Sequence, residues 1–177
     1  NDYHHERPLL DALSHGFCSV EADIFLVGDE LQVGHDRREL RAGRNLQSLY
    51  LDPLREWVEQ HGGRVYRDGP AFTLLVDIKT AGAPTYAALH KVLAEYADIL
   101  SSVDDGTFHE RAVNVVISGN RPFDYVSAQS VRYAGIDGRL SDLDSDAPAH
   151  LLPLISDRWG SHFRWRGDGP IDPQERE

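Results

Sequence analysis

The run Phe72-Thr73-Leu74-Leu75-Val76-Asp77-Ile78-Lys79 decides the reading of this chain. It is nearly continuous in apolar residues, as a strand buried inside a parallel sheet is, and it ends in charges. Helical and extended segments alternate on either side of it. Upstream, Arg7 to Ser14 has a short apolar helical face and stops at Gly16, while Asp52-Pro53-Leu54 starts a helix that ends at Gly62-Gly63. Between them, 19–26 and 31–36 flank a Gly28-Asp29-Glu30 turn, which predicts a hairpin-like excursion. Downstream, Pro84 opens a helix expected to reach about Leu100. Val113 to Ser118 reads as a second buried strand, Pro122 to Ser130 as a weak helix, and 132–137 and 151–157 as two further strands. The pattern predicts a single α/β unit over 1–177 with a parallel sheet covered on both faces.

Composition narrows the function. The 177 residues carry 18 Lys and Arg against 29 Asp and Glu, a formal charge of −11, which argues against a general nucleic-acid binder. Hydrophobic residues at 41% and charged residues at 27% describe ordinary globular usage, which excludes disorder and coiled coil. No apolar run reaches the length of a membrane span. The single cysteine, Cys18, excludes an internal disulfide and a thiolate zinc cluster, and its apolar surroundings predict a small buried hydrophobe. There is no Met and no leader segment, and Asp172-Pro173 opens a helix that runs out at the last residue, so the chain reads as a fragment.

Four strands finish on polar groups: Glu21 and Asp23, Asp77 and Lys79, Ser118 and Asn120, Ser156 and Asp157. In a barrel of parallel strands these ends converge on the rim where active sites are built. Residues two apart on a strand share a face, so Glu21 with Asp23, and Asp77 with Lys79, can project into one space. Three carboxylates there repel one another unless a cation joins them, and hard oxygen ligands favour Ca²⁺ or Mg²⁺. A solvated acidic face is the competing reading. His35-Asp36 closes the excursion beside the acids, and a His near an anionic site suits acid–base work.

In order and spacing, Asn1-Asp2-Tyr3, Arg7-Pro8-Leu9, Gly16-Phe17, Glu21-Ala22-Asp23, Gly34-His35-Asp36 and Asp77-Ile78-Lys79 resemble the glycerophosphodiester phosphodiesterases. More broadly they resemble the PI-PLC-like phosphodiesterase superfamily of TIM barrels. Leu151 to Gly160 has the look of its altered inheritance of mitochondria protein 6 branch. The resemblance implies a (β/α)8 barrel whose first and last strands are absent from this chain. It makes Glu21, Asp23 and Asp77 the ligands of a Ca²⁺ or Mg²⁺ ion, His35 one of two catalytic histidines, and Lys79 a catalytic partner of the phosphate or metal. The substrate would be a small-molecule or lipid phosphodiester.

Two departures stand out. Asp77 replaces the Glu usual in glycerophosphodiesterases, which brings in sphingomyelinase-D-like and phospholipase-D-like diesterases. The family's first catalytic His falls just ahead of Asn1, and His4 and His5 come too late to match it, so little turnover is expected of these residues alone. A non-catalytic metal- or ligand-binding barrel is the alternative from another class.

Further candidates for substrate binding are Asn1, Arg7, Ser118, Asn120, Asp137, Arg139, Ser156 and Trp159. For Arg139 an ion pair with Asp142 or Asp144 is equally open. The aromatic group Trp159, Phe163 and Trp165 reads as packing beneath a long loop in preference to a binding wall, and His61, His90, His109 and His150 read as solvated. Relatives of this look are often exported, which slightly favours a secreted or periplasmic location over a cytoplasmic one.

Overall fold

The computed structural model describes residues 2–175. Its centre is a six-stranded sheet in the order β2-β1-β3-β6-β8-β9, comprising β1 (Ser19–Val27), β2 (Glu30–Val33), β3 (Phe72–Ile78), β6 (Val113–Gly119), β8 (Ala134–Gly138) and β9 (Leu154–Ile155). The neighbours β1, β3, β6, β8 and β9 pair in parallel, and β2 pairs antiparallel with β1 across the expected hairpin. Among the described residues the row does not close on itself. The remaining helices are α1 (Leu10–Ser14), α2 (Asp52–Gln60), α3 (Gly82–Ala94), α4 (Phe123–Ser127) and α5 (Trp159–His162).

Strand β3 shows why the two sides of the sheet differ. Phe72, Leu74, Val76 and Ile78 are all buried, whereas Thr73, Leu75 and Asp77 are half-buried. Burying a large apolar side chain stabilises by roughly 1.5–3 kcal/mol, so the first set anchors the strand. They join one hydrophobic cluster with Ala22, Ile24, Val115, Ile117 and Ile136, and with Leu54 and Val58 of α2 and Tyr86, Leu89 and Leu93 of α3. Val116 is buried but lies outside that cluster, on the other face with Leu75, Glu21, Asp23 and Asp77. The two faces differ in chemistry although both hold buried residues, Asp23 and Val116 being buried on the second. One face is the core, and the opposite face carries the acids.

Other boundaries move for local reasons. α3 ends at Ala94 rather than near Leu100; the chain then turns, and Leu100 bridges to Val113. One turn of π-helix, Gln47–Leu51, leads into α2. The expected strand at 132–137 is divided between two sheets. β7 (Val131–Arg132) joins β4 (Ser102–Asp104) and β5 (Thr107–His109) in a small antiparallel sheet, and only β8 joins the main one. The β4–β5 hairpin turns on Asp105-Gly106, both with positive φ, the twist that a two-residue hairpin favours. The strand expected at 151–157 shrinks to Leu154–Ile155. Among the described residues no helix is long and apolar enough to cross a membrane.

Burial also corrects several residues. Cys18 is exposed, beside Phe17 at 60% exposure, because the positive-φ turn at Gly16 throws both outward before β1 begins. Trp159, Phe163 and Trp165 pack on one another, with Trp159 stacked 4.2 Å from Phe163, yet Trp159 stays 48% exposed and none of the three joins the core cluster. His61 and His109 are exposed as expected, but His90 and His150 are half-buried.

Among the described residues the Nδ1 of His90 is buried without a partner, and its ring lies 6.1 Å from Tyr86 and 5.8 Å from Tyr133. Burial pushes the pKa of His90 below its usual value, so the unfolded chain takes up the proton first as pH falls. Its contribution to stability is therefore complete above about pH 6.5 and is lost as pH falls below that. His90→Phe is expected to flatten the fall in melting temperature between about pH 6.5 and 5. An unchanged slope in thermal melts would show that His90 is solvated after all.

Candidate active site

Strands β1 and β3 set the site by register. Asp23 stands opposite Asp77, and Glu21 lies one pleat repeat below Asp23 on the same face. One ligand atom from each of these carboxylates lies within 4.8 Å of the other two. Lys79 places Nζ 2.9 Å from Asp23 Oδ1 and 2.7 Å from Asp77 Oδ2. His35 places Nδ1 3.2 Å from Asp23 Oδ2, which also accepts a short hydrogen bond from the Tyr3 hydroxyl. The His35 loop is held by backbone bonds, Gly34 N–H to Asp23 O at 3.1 Å and His35 N–H to Glu39 Oε2 at 2.7 Å.

The electrostatics are uneven. Burial alone would raise the pKa of Asp23, but hydrogen bonds from Tyr3, Lys79 and His35 hold it below the ordinary carboxylate value. Burial likewise opposes the charge on Lys79, and Asp77 and Asp23 outweigh it. Glu21 is pushed up, first by desolvation and then by the charges of Asp23 and Asp77. Three carboxylates thus face one ammonium, leaving two negative charges uncompensated within the cluster. That donor set, all oxygen and closely grouped, fits a hard divalent cation.

The same edge continues onto β6 and β8 with a second group. Ser118, level with Asp77, donates to Asp137 Oδ2 at 2.7 Å, and Ser156 donates to the same oxygen at 2.7 Å. Arg139 Nη1 adds a third contact at 2.9 Å. Asp137 is 2% exposed, and its Oδ1 is buried without a partner among the described residues. The ion pair of Arg139 is therefore with Asp137, while Asp142 accepts from the backbone N–H of Arg139 at 2.7 Å.

The other expected residues are less central. Asn120 donates to Thr80 O at 3.0 Å, tying two strand ends together. Arg7 is bound to Asp11 at 2.6 Å on α1. Trp159 donates to Trp165 O at 2.8 Å. Asn1 lies outside the described residues.

Two residues went unread in the sequence. Tyr3 is buried and bonds Asp23, but a lone Tyr in a short 3₁₀ turn carried no chemical signal. Arg121 is half-buried beside this second group, with a pKa lowered by burial and then by the charge of Arg139, and Asp137, Asp142 and Asp157 oppose that shift. Its signal was present, a basic residue just past a strand end as Lys79 is.

Comparisons with known proteins agree on one family. The family described as AIM6-like phosphodiesterase domain matches residues 1–134. The chain is 31% identical over 206 residues to an altered inheritance of mitochondria protein 6 homolog of Arthroderma benhamiae, covering 100% of this chain and 64% of that protein. It is 31% identical over 179 residues to altered inheritance of mitochondria protein 6 of Eremothecium gossypii, covering 88% of this chain and 46% of the relative. The Lachancea thermotolerans protein of the same name is 33% identical over 144 residues, covering 70% of this chain and 34% of the relative. The chain thus spans between a third and two thirds of the length of these curated relatives. No solved structure matches. With an α/β sheet and an acid–lysine–histidine cluster at its strand ends, the chain belongs to the AIM6-like phosphodiesterase domain family.

Proposed function

We propose that this edge of the sheet hydrolyses a phosphodiester with the help of a Ca²⁺ or Mg²⁺ ion held by Glu21, Asp23 and Asp77. The observation that carries the reading is the grouping of these three carboxylates within 4.8 Å with Lys79 as their ammonium partner. When bound, the cation supplies charge stabilisation for the non-bridging oxygens of the phosphate. Lys79, held between Asp23 and Asp77, adds a fixed positive charge for the same oxygens. His35 turns Nδ1 toward Asp23, which orients the ring and leaves Nε2 to accept or deliver a proton. It serves as one of the two histidines the family resemblance assigns.

On the neighbouring strands Ser118, Asp137, Arg139 and Ser156 form the wall of the substrate pocket, with Asn120, Arg7 and Trp159 as outlying contributors; Asn1, outside the described residues, is a further candidate. Residues 1–177 act as one domain, and the five parallel strands are five staves of a (β/α)8 barrel of the PI-PLC-like type. The substrate class is a glycerophosphodiester or a phospholipid-derived diester. Asp77 at the third ligand position keeps sphingomyelinase-D-like chemistry in view.

The test is a metal-dependent screen on the product of the whole reading frame, with glycerophosphodiesters, lysophospholipids and sphingomyelin as substrates. EDTA-reversible hydrolysis is expected, together with a loss of at least about 100-fold in metal affinity or activity for Glu21→Gln. Calorimetric metal binding without turnover on any of these diesters would favour the binding-module reading. Metal-independent hydrolysis untouched by Glu21→Gln would overturn the site.

A further inference from the structure

At the end of the sheet away from the acids, a cavity of about 460 Å³ lies between the small β4–β5–β7 sheet and the starts of β6 and β8. Its size falls within the range of small-molecule pockets. Most of its wall is apolar or aromatic, including Val103, Phe108, Tyr133 and Pro153. Arg132 also lines it, on β7, and is 4% exposed.

Among the described residues the partners of Arg132 are all neutral. Nη1 donates to Ala134 O at 3.3 Å and His150 O at 3.2 Å, and Nη2 donates to His150 Nδ1. A guanidinium has no acceptor, so Nδ1 of His150 must be unprotonated and the ring neutral. Burial, then the charge of Arg132, push His150 toward that neutral form. Among the described residues no carboxylate lies within 4 Å of Arg132. A buried charge is costly unless an opposite charge joins it. In a chain of net charge −11, a buried cation facing a cavity without an acid is an unmatched feature.

The surroundings indicate what would match it. Phe108 lies parallel to His150, 6.3 Å between centroids and 6° between planes, and the His150 ring meets the guanidinium. Asn114 lines the same space, and its Oδ1 is buried without a partner among the described residues.

We propose that this cavity binds an organic anion, a carboxylate on an apolar body, with the carboxylate on Arg132 and the body against Phe108, Tyr133 and Val103. The site is independent of the phosphodiesterase reading. Asn114 and Ser118 stand at opposite ends of β6, about 13 Å apart for a strand of that rise.

The test is displacement of 8-anilinonaphthalene-1-sulfonate from the 177-residue chain by decanoate and, separately, by decanol. Decanoate is expected to displace the dye at a concentration at least tenfold below that of decanol. Arg132→Gln is expected to erase that preference, and Arg132→Lys to keep part of it. Ala149→Trp, at an exposed position in the cavity wall, is expected to weaken both ligands at least tenfold, so the test survives if Arg132→Gln fails to fold. Equal displacement by decanoate and decanol would overturn the proposal, as would decanoate binding unchanged by Ala149→Trp.

Discussion

In the product of the whole reading frame, Asp23→Asn is expected to lower kcat/KM for the proposed phosphodiester hydrolysis by about 10³-fold, the scale on which fixed electrostatic groups act in active sites. Asp23 is 1% exposed and holds three donors at once: Tyr3, His35 and Lys79. Asn preserves the shape but removes the charge, and its NH2 turns one accepting position into a donor. Whichever oxygen is replaced, a donor then faces either the Lys79 ammonium or the pair formed by Tyr3 and His35. The proposed cation would lose a ligand, His35 would lose the carboxylate that orients it, and Lys79 would keep only Asp77 as an acidic partner among the described residues. The near-isosteric change should leave the far-UV circular dichroism unchanged, so steady-state kinetics and the spectrum together isolate the site effect. Activity within tenfold of wild type would remove Asp23 from the reaction.

Gly119→Ala is expected to destabilise the chain by about 3 kcal/mol, from a strained backbone plus a forced shift of its neighbours. At this chain length that corresponds to a melting temperature lower by roughly 6–12 °C. Gly119 has φ of 69°, where side chains are rarely accommodated. A Cβ built there would lie 2.0 Å from Asp77 Oδ1 and 2.6 Å from Ile78 O. The backbone of β6 therefore passes directly beneath the carboxylate of Asp77, and only glycine leaves room for it. Calorimetric metal titration is expected to show weakened binding in the same variant, because Asp77 must move. A stable Gly119→Ala protein with unchanged metal affinity would show that neither contact constrains the site.

Much of this arrangement was legible in the sequence. The apolar run of β3 ending in Asp77 and Lys79, the hairpin after Glu21 and Asp23, and the start of α2 at Asp52 are local patterns, and the chain follows them. The β4–β5 hairpin was legible too, since Asp105-Gly106 is a strong two-residue turn signal, but it went unused in the reading. The division at Arg132–Ala134 was not legible, because β7 leaves the main sheet to pair with β4, far away in sequence. Cys18 and His90 were misjudged for a related reason. Neighbours in sequence do not report which side of a turn faces water, nor which helix face meets Tyr133.

The sequence by itself determined which residues could do chemistry. Strand periodicity puts Glu21 with Asp23, and Asp77 with Lys79, on shared faces, and strand ends carry the polar groups. Only the tertiary structure decided which of them meet. Register sets Asp23 against Asp77 and Ser118 beside Asp77, and folding brings Ser118 and Ser156 onto the same oxygen of Asp137. It also sets Arg132 in the wall of a cavity with no carboxylate within 4 Å of it among the described residues. The physical reason is range: side-chain alternation is settled by adjacent φ and ψ, whereas charge pairing depends on strands brought together across tens of residues.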